Sequence, residues 1–162
     1  MTVDIYNTGN KYKTIYLDPP WAEQGGGKIK RGADRHYPLM KTKDIAQLPI
    51  KELTDPDGCH MYITMITWVK DRIGLGQYYR GLSEHCLFAT TKKRLPYKLD
   101  ENGKRCQGVT AFYEPKREHS RKPIKMREMI ENVSYAPRIE LFARESFDGW
   151  DNWGNEMEEE DE

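Results

Sequence analysis

Asp18-Pro19-Pro20-Trp21 places a carboxylate, two prolines and an indole in four consecutive positions. These types suit one reaction, methyl transfer to the exocyclic amino group of a nucleobase. That nitrogen is a poor nucleophile because its lone pair is delocalised into the ring. A carboxylate accepting one N–H draws the group toward tetrahedral geometry and frees the lone pair. A backbone carbonyl accepts the second N–H, and proline stiffens the chain that carries it. The indole offers a flat face on which an extruded base can stack. Catalysis of this kind is positioning plus hydrogen-bond polarisation and needs no metal or covalent intermediate. The plainer alternative is a rigid Pro-Pro turn after a strand, with a partly buried tryptophan.

The elements around this run follow from hydrophobic pattern and turn chemistry. Tyr12 to Leu17 is β-branched and aromatic and reads as a buried strand, so the motif sits at a strand's carboxyl end. In open α/β sheets ligands bind at such ends. Residues 22 to 36 are glycine-rich and basic and read as a loop closed by His36-Tyr37-Pro38. Thr42 is expected to cap a short helix through Leu48, ended by Pro49. Cys59 to Val69 is one apolar, β-branched run. Glu84 to Thr90 and Gly108 to Tyr113 read as strands, and Pro123 opens a helix carrying Ile124, Met129, Ile130 and Val133. Arg138 to Ala143 reads as a strand, and Phe147 to Asn155 as a loop rich in tryptophan and glycine. Alternating strands and helices predict an α/β sandwich with a largely parallel sheet.

The chain has 162 residues and predicts a single domain over 1–155. It has no long apolar segment and no secretory signal pattern, which points to a cytoplasmic protein without membrane contact. Three cysteines without a Cys-x-x-Cys pair suit a reducing compartment. The Cys59-His60 and His85-Cys86 pairs fit no usual structural zinc spacing, so no metal is expected. The net charge is zero, but six acids lie in the tail over 156–162. The remaining body holds 20 acids against 26 bases, a net charge of +6. The bases cluster at Lys28, Lys30, Arg31 and Arg35, at Lys92 to Arg94, and from Lys116 to Arg127. Such clusters together are the footprint of a polyanion binder, although any one alone reads more readily as ordinary solvated surface. The acidic tail is expected to be disordered.

With further ordered motifs the chain resembles the MT-A 70-kDa-subunit-like adenine-N(6) methyltransferases, a family with many bacterial and phage members. These motifs are His36-Tyr37, Thr67-Trp68-Val69-Lys70, Ser83-Glu84-His85-Cys86, Glu118-His119-Ser120-Arg121-Lys122-Pro123, Glu140-Leu141-Phe142-Ala143-Arg144, Gly149-Trp150-Asp151 and Trp153-Gly154-Asn155-Glu156. The resemblance covers Tyr12 to Glu156. It implies a Rossmann-like, S-adenosylmethionine-dependent methyltransferase, a three-layer sandwich with permuted motif order. Asp18 and the Pro19 carbonyl would hold the target amino group, Pro20 would stiffen the turn and Trp21 would frame the adenine. Tyr37 would line the same pocket, and Lys28, Arg31 and Arg35 would contact the substrate. Lys122 matches the lysine that pairs with the cofactor's carboxylate. Glu140 and Arg144 lie beside its ribose, and Asn155 and Glu156 match the pair that holds ribose and adenine. The less favoured alternative for Glu140 is a strand-end acid paired with Arg144, and Trp150 and Trp153 could equally be packing residues.

One departure separates this chain from that family. A helix of about three turns and its connection, expected after Ile63, are absent, so Ile63 meets Thr64 directly. Parallel neighbours ordinarily need a crossover of at least about 10–12 residues. Cys59 to Val69 is therefore either one long strand or a pair from which one member has left the sheet. Loss of the unit is expected to expose apolar surface and to favour a homo-oligomer. The expected activity is methylation of adenine in nucleic acid. DNA is preferred because the compact chain lacks the extra domains of RNA-directed relatives. The alternatives are an RNA adenine methyltransferase and a catalytically silent nucleic-acid-binding or partner subunit; retention of Asp18 to Trp21 favours an enzyme.

Overall fold

The computed structural model describes residues 1–21, 38–55, 60–74, 78–91, 97–117 and 121–154. Its elements run β1 (Thr14–Leu17), α1 (Thr42–Ile45), α2 (Ile50–Leu53), β2 (His60–Val69), β3 (Ser83–Thr91), β4 (Ala111–Tyr113), α3 (Ile124–Val133), β5 (Arg138–Leu141) and β6 (Trp150–Trp153). The chain divides into two compact units, Met1–Asp55 with Ala136–Glu162, and Pro56–Tyr135.

The first unit is built on a parallel sheet in the order β1-β5-β6. Ile15 pairs with Ile139 and Leu17 with Leu141. Side chains alternate across a strand, so these four share one face. That face packs with Ile5, Tyr12, Ile45, Leu48 and Leu53 in the core of the unit. Each fully buried apolar side chain there contributes about 1.5–3 kcal/mol. The opposite face carries Tyr16, Glu140 and Asn152 side by side.

Two local expectations are corrected here. Lys41, not Thr42, is the N-cap of α1, without a side-chain cap, and the helix ends at Ile45 rather than Leu48. Pro49 does not merely stop a helix; it is the N-cap of α2. Proline cannot continue a helix but is tolerated where a new one starts, because the donor it lacks would be unsatisfied there anyway. The segment over 147–155 also contains β6, which its composition hides. Asp and Asn are depleted in strands, so Trp-Asp-Asn-Trp carries little intrinsic strand signal. Pairing with β5 supplies the order instead.

The second unit holds a mixed sheet in the order β3-β2-β4, with β2 antiparallel to β3 and parallel to β4. β2 is one continuous strand of 10 residues. Its register with β3 shifts between Tyr62 and Thr64, at the junction where the helical unit was expected. An extra residue in one strand reverses which face the following side chains occupy. Tyr62, Met65 and Leu87 consequently share one face, and all three are exposed. Trp68 and Phe112, paired on the other face, are buried. The Trp68 indole donates to the Glu114 carbonyl at 2.7 Å. The Glu114 carboxylate in turn accepts the N–H groups of Ile124 and Lys125 at 3.0 and 2.9 Å. It satisfies the first turn of α3, whose Pro123 N-cap has no side-chain cap bond.

Candidate active site

The parallel register of the first unit brings three motif ends to one sheet edge. Leu17 aligns with Leu141, and Leu141 with Trp153. The next residues in each strand direction are Asp18, Phe142 and Gly154. Adjacent strands lie about 4.8 Å apart, so Asp18 leaves the sheet about 10 Å from Gly154.

At the first end, Asp18 is exposed, Pro19 is buried and Trp21 is half exposed. The Trp21 N–H donates to the Pro19 carbonyl at 2.9 Å, closing a three-residue turn around Pro20. The Pro19 oxygen keeps a second lone pair for another donor. The Met40 N–H donates to the Pro20 carbonyl at 2.8 Å, and Trp21 forms a parallel bridge to Met40. The tetrapeptide is thus a rigid turn with its carboxylate and indole left accessible. The sequence-predicted rigidity and the accessible chemistry coexist rather than compete.

At the second and third ends the chain is packed unusually tightly. β5 and β6 are parallel neighbours joined only by residues 142–149, shorter than an ordinary crossover. Phe142 (φ 59°) and Gly149 (φ 75°) adopt left-handed backbone conformations that permit this return. Phe142 holds its strained conformation while packed edge-on to Trp153, ring centroids 5.2 Å apart. The Ala143 N–H donates to the Trp153 carbonyl at 3.1 Å. A β-carbon on Gly154 would lie 2.3 Å from the Ala143 oxygen. Arg144 directly follows one side of this contact, and Asn155 the other.

Glu140, one residue before the end of β5, is 2% exposed, and Asn152 beside it is 1% exposed. The Asn152 amide donates to Ser146 Oγ at 3.0 Å and accepts from Thr2 Oγ1 at 2.9 Å. It therefore ties the 142–149 connection to β6. A buried acid is retained only where its surroundings satisfy it, so Glu140 is more than surface decoration.

Lys122 lies in the second unit, 8% exposed, immediately before α3. Its carbonyl accepts Arg117 Nη1 at 3.2 Å. The structure thus brings together Asp18, Pro19, Pro20, Trp21, Glu140 and Arg144 in one unit and assigns Lys122 to the other. Lys28, Arg31, Arg35, Tyr37, Asn155, Glu156, Cys59 and the acidic tail lie outside the described residues. Among the described residues no group of three His, Cys, Asp or Glu could hold a metal, and no helix is long and apolar enough to cross a membrane.

Phe142, Asn152 and Gly154 were not singled out by sequence reasoning. Only Gly154 carried a signal, a glycine directly before the expected cofactor pair, where close backbone approach is a standard reason for the residue.

Comparisons with known proteins bear on the family and the fold. A family model described as MT-A70 matches residues 61–156. The type II methyltransferase M.MunI from a Mycoplasma species is 27% identical, covering 91% of this chain and 78% of that protein. That comparison runs over 191 residues, more than the 162 of this chain, so the relative carries residues without a counterpart here. The crystal structure of M1.HpyAVI aligns with a TM-score of 0.54 at 16% identity, covering 95% of this chain and 86% of that one. Its complex with SAM aligns at 0.55 and 19%, covering 95% and 88%. The fold is therefore the Rossmann-like α/β methyltransferase fold.

Proposed function

Because the chain belongs to the MT-A70 family, we propose that it transfers a methyl group from S-adenosylmethionine to the exocyclic nitrogen of adenine in nucleic acid, with DNA as the preferred substrate. The observation that carries this reading is the shared level of three strand ends, which sets Asp18 beside the Phe142–Arg144 and Gly154 segments. M.MunI, a type II methyltransferase, supports the methyl-transfer reading.

The residues present fit the cofactor. The Gly154–Ala143 contact removes side-chain bulk where the ends of β5 and β6 meet. The buried Glu140 and the adjoining Arg144 supply groups suited to ribose hydroxyls. Lys122, in the other unit, is a cation suited to a carboxylate, and Asn155 and Glu156 follow Gly154 in the sequence. When bound, S-adenosylmethionine supplies an electrophilic methyl group. Trp21 holds the adenine by its face. The Asp18 carboxylate accepts one amino N–H, and the Pro19 carbonyl accepts the other with the lone pair that Trp21 does not use. Asp18 also stabilises the positive charge that grows on the nitrogen during attack. Because Pro19 and Pro20 fix the turn, little reorganisation accompanies the step. Tyr37, Lys28, Arg31 and Arg35 guide the strand, and base flipping delivers the target when the substrate is duplex. The reaction belongs in the cytoplasm of a bacterial or phage-infected cell, where nucleic acid and cofactor meet.

The test is transfer of labelled methyl groups to duplex DNA, single-stranded DNA and RNA in parallel. Incorporation into DNA above RNA supports the reading, and incorporation into RNA alone corrects the substrate. No incorporation by folded protein would point to the silent partner subunit.

A further inference from the structure

The excursion between β2 and β3 has a closed neck. The Lys70 N–H donates to the Leu82 carbonyl at 2.8 Å, and the Gly74 N–H donates to the Gly81 carbonyl at 2.6 Å. Arg80 Nε adds a bond to the Gly74 carbonyl at 2.9 Å. A β-carbon at Gly74 would approach the Gly81 oxygen to 3.0 Å, so the two sides of the neck meet at glycines. Beyond the neck, Tyr78 and Tyr79 are 94% and 93% exposed. Neither has a hydrogen bond or ring contact among the described residues.

Single exposed apolar side chains are ordinary, but two adjacent aromatic rings in nearly full contact with water are not. The neck restricts where these rings can go. Arg72 stands beside it with its side chain 80% exposed. Its 3.4 Å approach to Asp71 is a surface pair that solvent weakens. The Asp71 carboxylate already accepts the Lys116 N–H at 2.7 Å. Arg80 spends one donor on a backbone carbonyl, which leaves its charge in place. Exposed flat rings with cations nearby in the chain suit unpaired nucleic acid: bases stack on aromatic faces while the cations meet phosphates. A protein-binding patch would instead be expected to present a packed apolar centre within a polar rim.

We propose that Tyr78 and Tyr79, with Arg72 and Arg80, form a second nucleic-acid contact that stacks unpaired bases, separate from the Asp18 to Trp21 turn. The inference rests on the functional reading above, because it takes nucleic acid to be the substrate. It adds a recognition element that neither the basic segment over 22–36 nor the proposed catalytic turn supplies. Stacking of this kind tolerates any base, so the contact contributes affinity and placement rather than target sequence.

The test uses the full chain and a labelled single-stranded oligodeoxynucleotide, with binding read by fluorescence anisotropy over a range of salt. The variant Tyr78→Ala/Tyr79→Ala is expected to bind about tenfold or more weakly. Tyr78→Phe/Tyr79→Phe keeps the ring faces and retains the affinity. Arg72→Ala lowers the salt slope by about 0.7. Cofactor binding, followed by thermal shift, stays unchanged in all of them. Wild-type affinity in the double alanine variant, in a chain that still transfers methyl groups, would overturn the tyrosine contact and leave the reaction standing. Absence of nucleic-acid binding by the unsubstituted chain would overturn both. Unchanged affinity with altered sedimentation would mark a protein contact and overturn the proposal.

Discussion

Gly154 lies against the backbone of Ala143 so closely that no side chain fits between them: its β-carbon would sit 2.3 Å from the Ala143 oxygen and 2.9 Å from the Ala143 nitrogen. The contact joins the segment that leads to Arg144 with the one that leads to Asn155. Gly154→Ala must therefore move one strand end away from the other, at a cost of about 1–3 kcal/mol for overpacking. The expected result is weaker S-adenosylmethionine binding in calorimetry, beyond the loss seen in Gly149→Ala. Gly149, unlike Gly154, has a left-handed backbone (φ 75°), and an added β-carbon there meets nothing within 4 Å. A loss in Gly154→Ala no greater than that in Gly149→Ala would count against the Ala143 contact as its source.

Tyr12, buried just before β1, donates to Asp151 on β6 at 2.7 Å. Burial first, and then the bond and negative charge of Asp151, push its pKa from 10.0 up to about 12. The folded state holds the proton more tightly than the unfolded state. The stability this contributes is complete below pH 10 and is lost as pH rises from 10 toward 12. Tyr12→Phe should lower stability at neutral pH by about 1–3 kcal/mol, because it removes a bond to a charged acceptor. It should also flatten the decline above pH 10. Chemical denaturation at pH 8, 10 and 11.5 checks both parts.

Glu114 caps α3 with both carboxylate oxygens. Glu114→Ala leaves two N–H groups of the first turn without that acceptor and should destabilise the second unit by about 0.5–2 kcal/mol. The same change frees the segment that carries Lys122, so cofactor affinity should fall with the melting temperature. Glu114→Gln keeps one acceptor oxygen and should recover part of both, as a thermal melt with and without S-adenosylmethionine would show.

The turn at Asp18 to Trp21 was legible because its determinants are local. Aspartate, proline and tryptophan act through their own side chains and backbone constraints, and the β-branched run before them marks a strand. Glu140 was legible as a residue of a recognisable strand, with Arg144 just beyond its end. β6 was not, because its order comes from pairing with β5 rather than from Trp150-Asp151-Asn152-Trp153 themselves. The roles of Phe142 and Gly154 depend on a distance between two segments, which no single segment encodes. The fate of the Ile63-Thr64 junction was left open by the sequence. The structure resolves it as one strand with a register shift, in which the shift turns Met65 to the face that Tyr62 and Leu87 occupy. The apolar exposure expected from the missing helix is found on that face.

The most direct measurement compares two single variants in two assays: methyl transfer to adenine-containing DNA, with the product digested and N6-methyladenine quantified, and S-adenosylmethionine binding by calorimetry. Asp18→Ala should abolish product by about 100-fold or more, the scale for losing a polarising group, and leave cofactor binding nearly intact. Lys122→Ala should weaken cofactor binding first and allow product to recover at high cofactor concentration. Product formation by Asp18→Ala, or equal loss of cofactor binding in both variants, would contradict the assignment of the β1 end to the target base and of Lys122 to the cofactor.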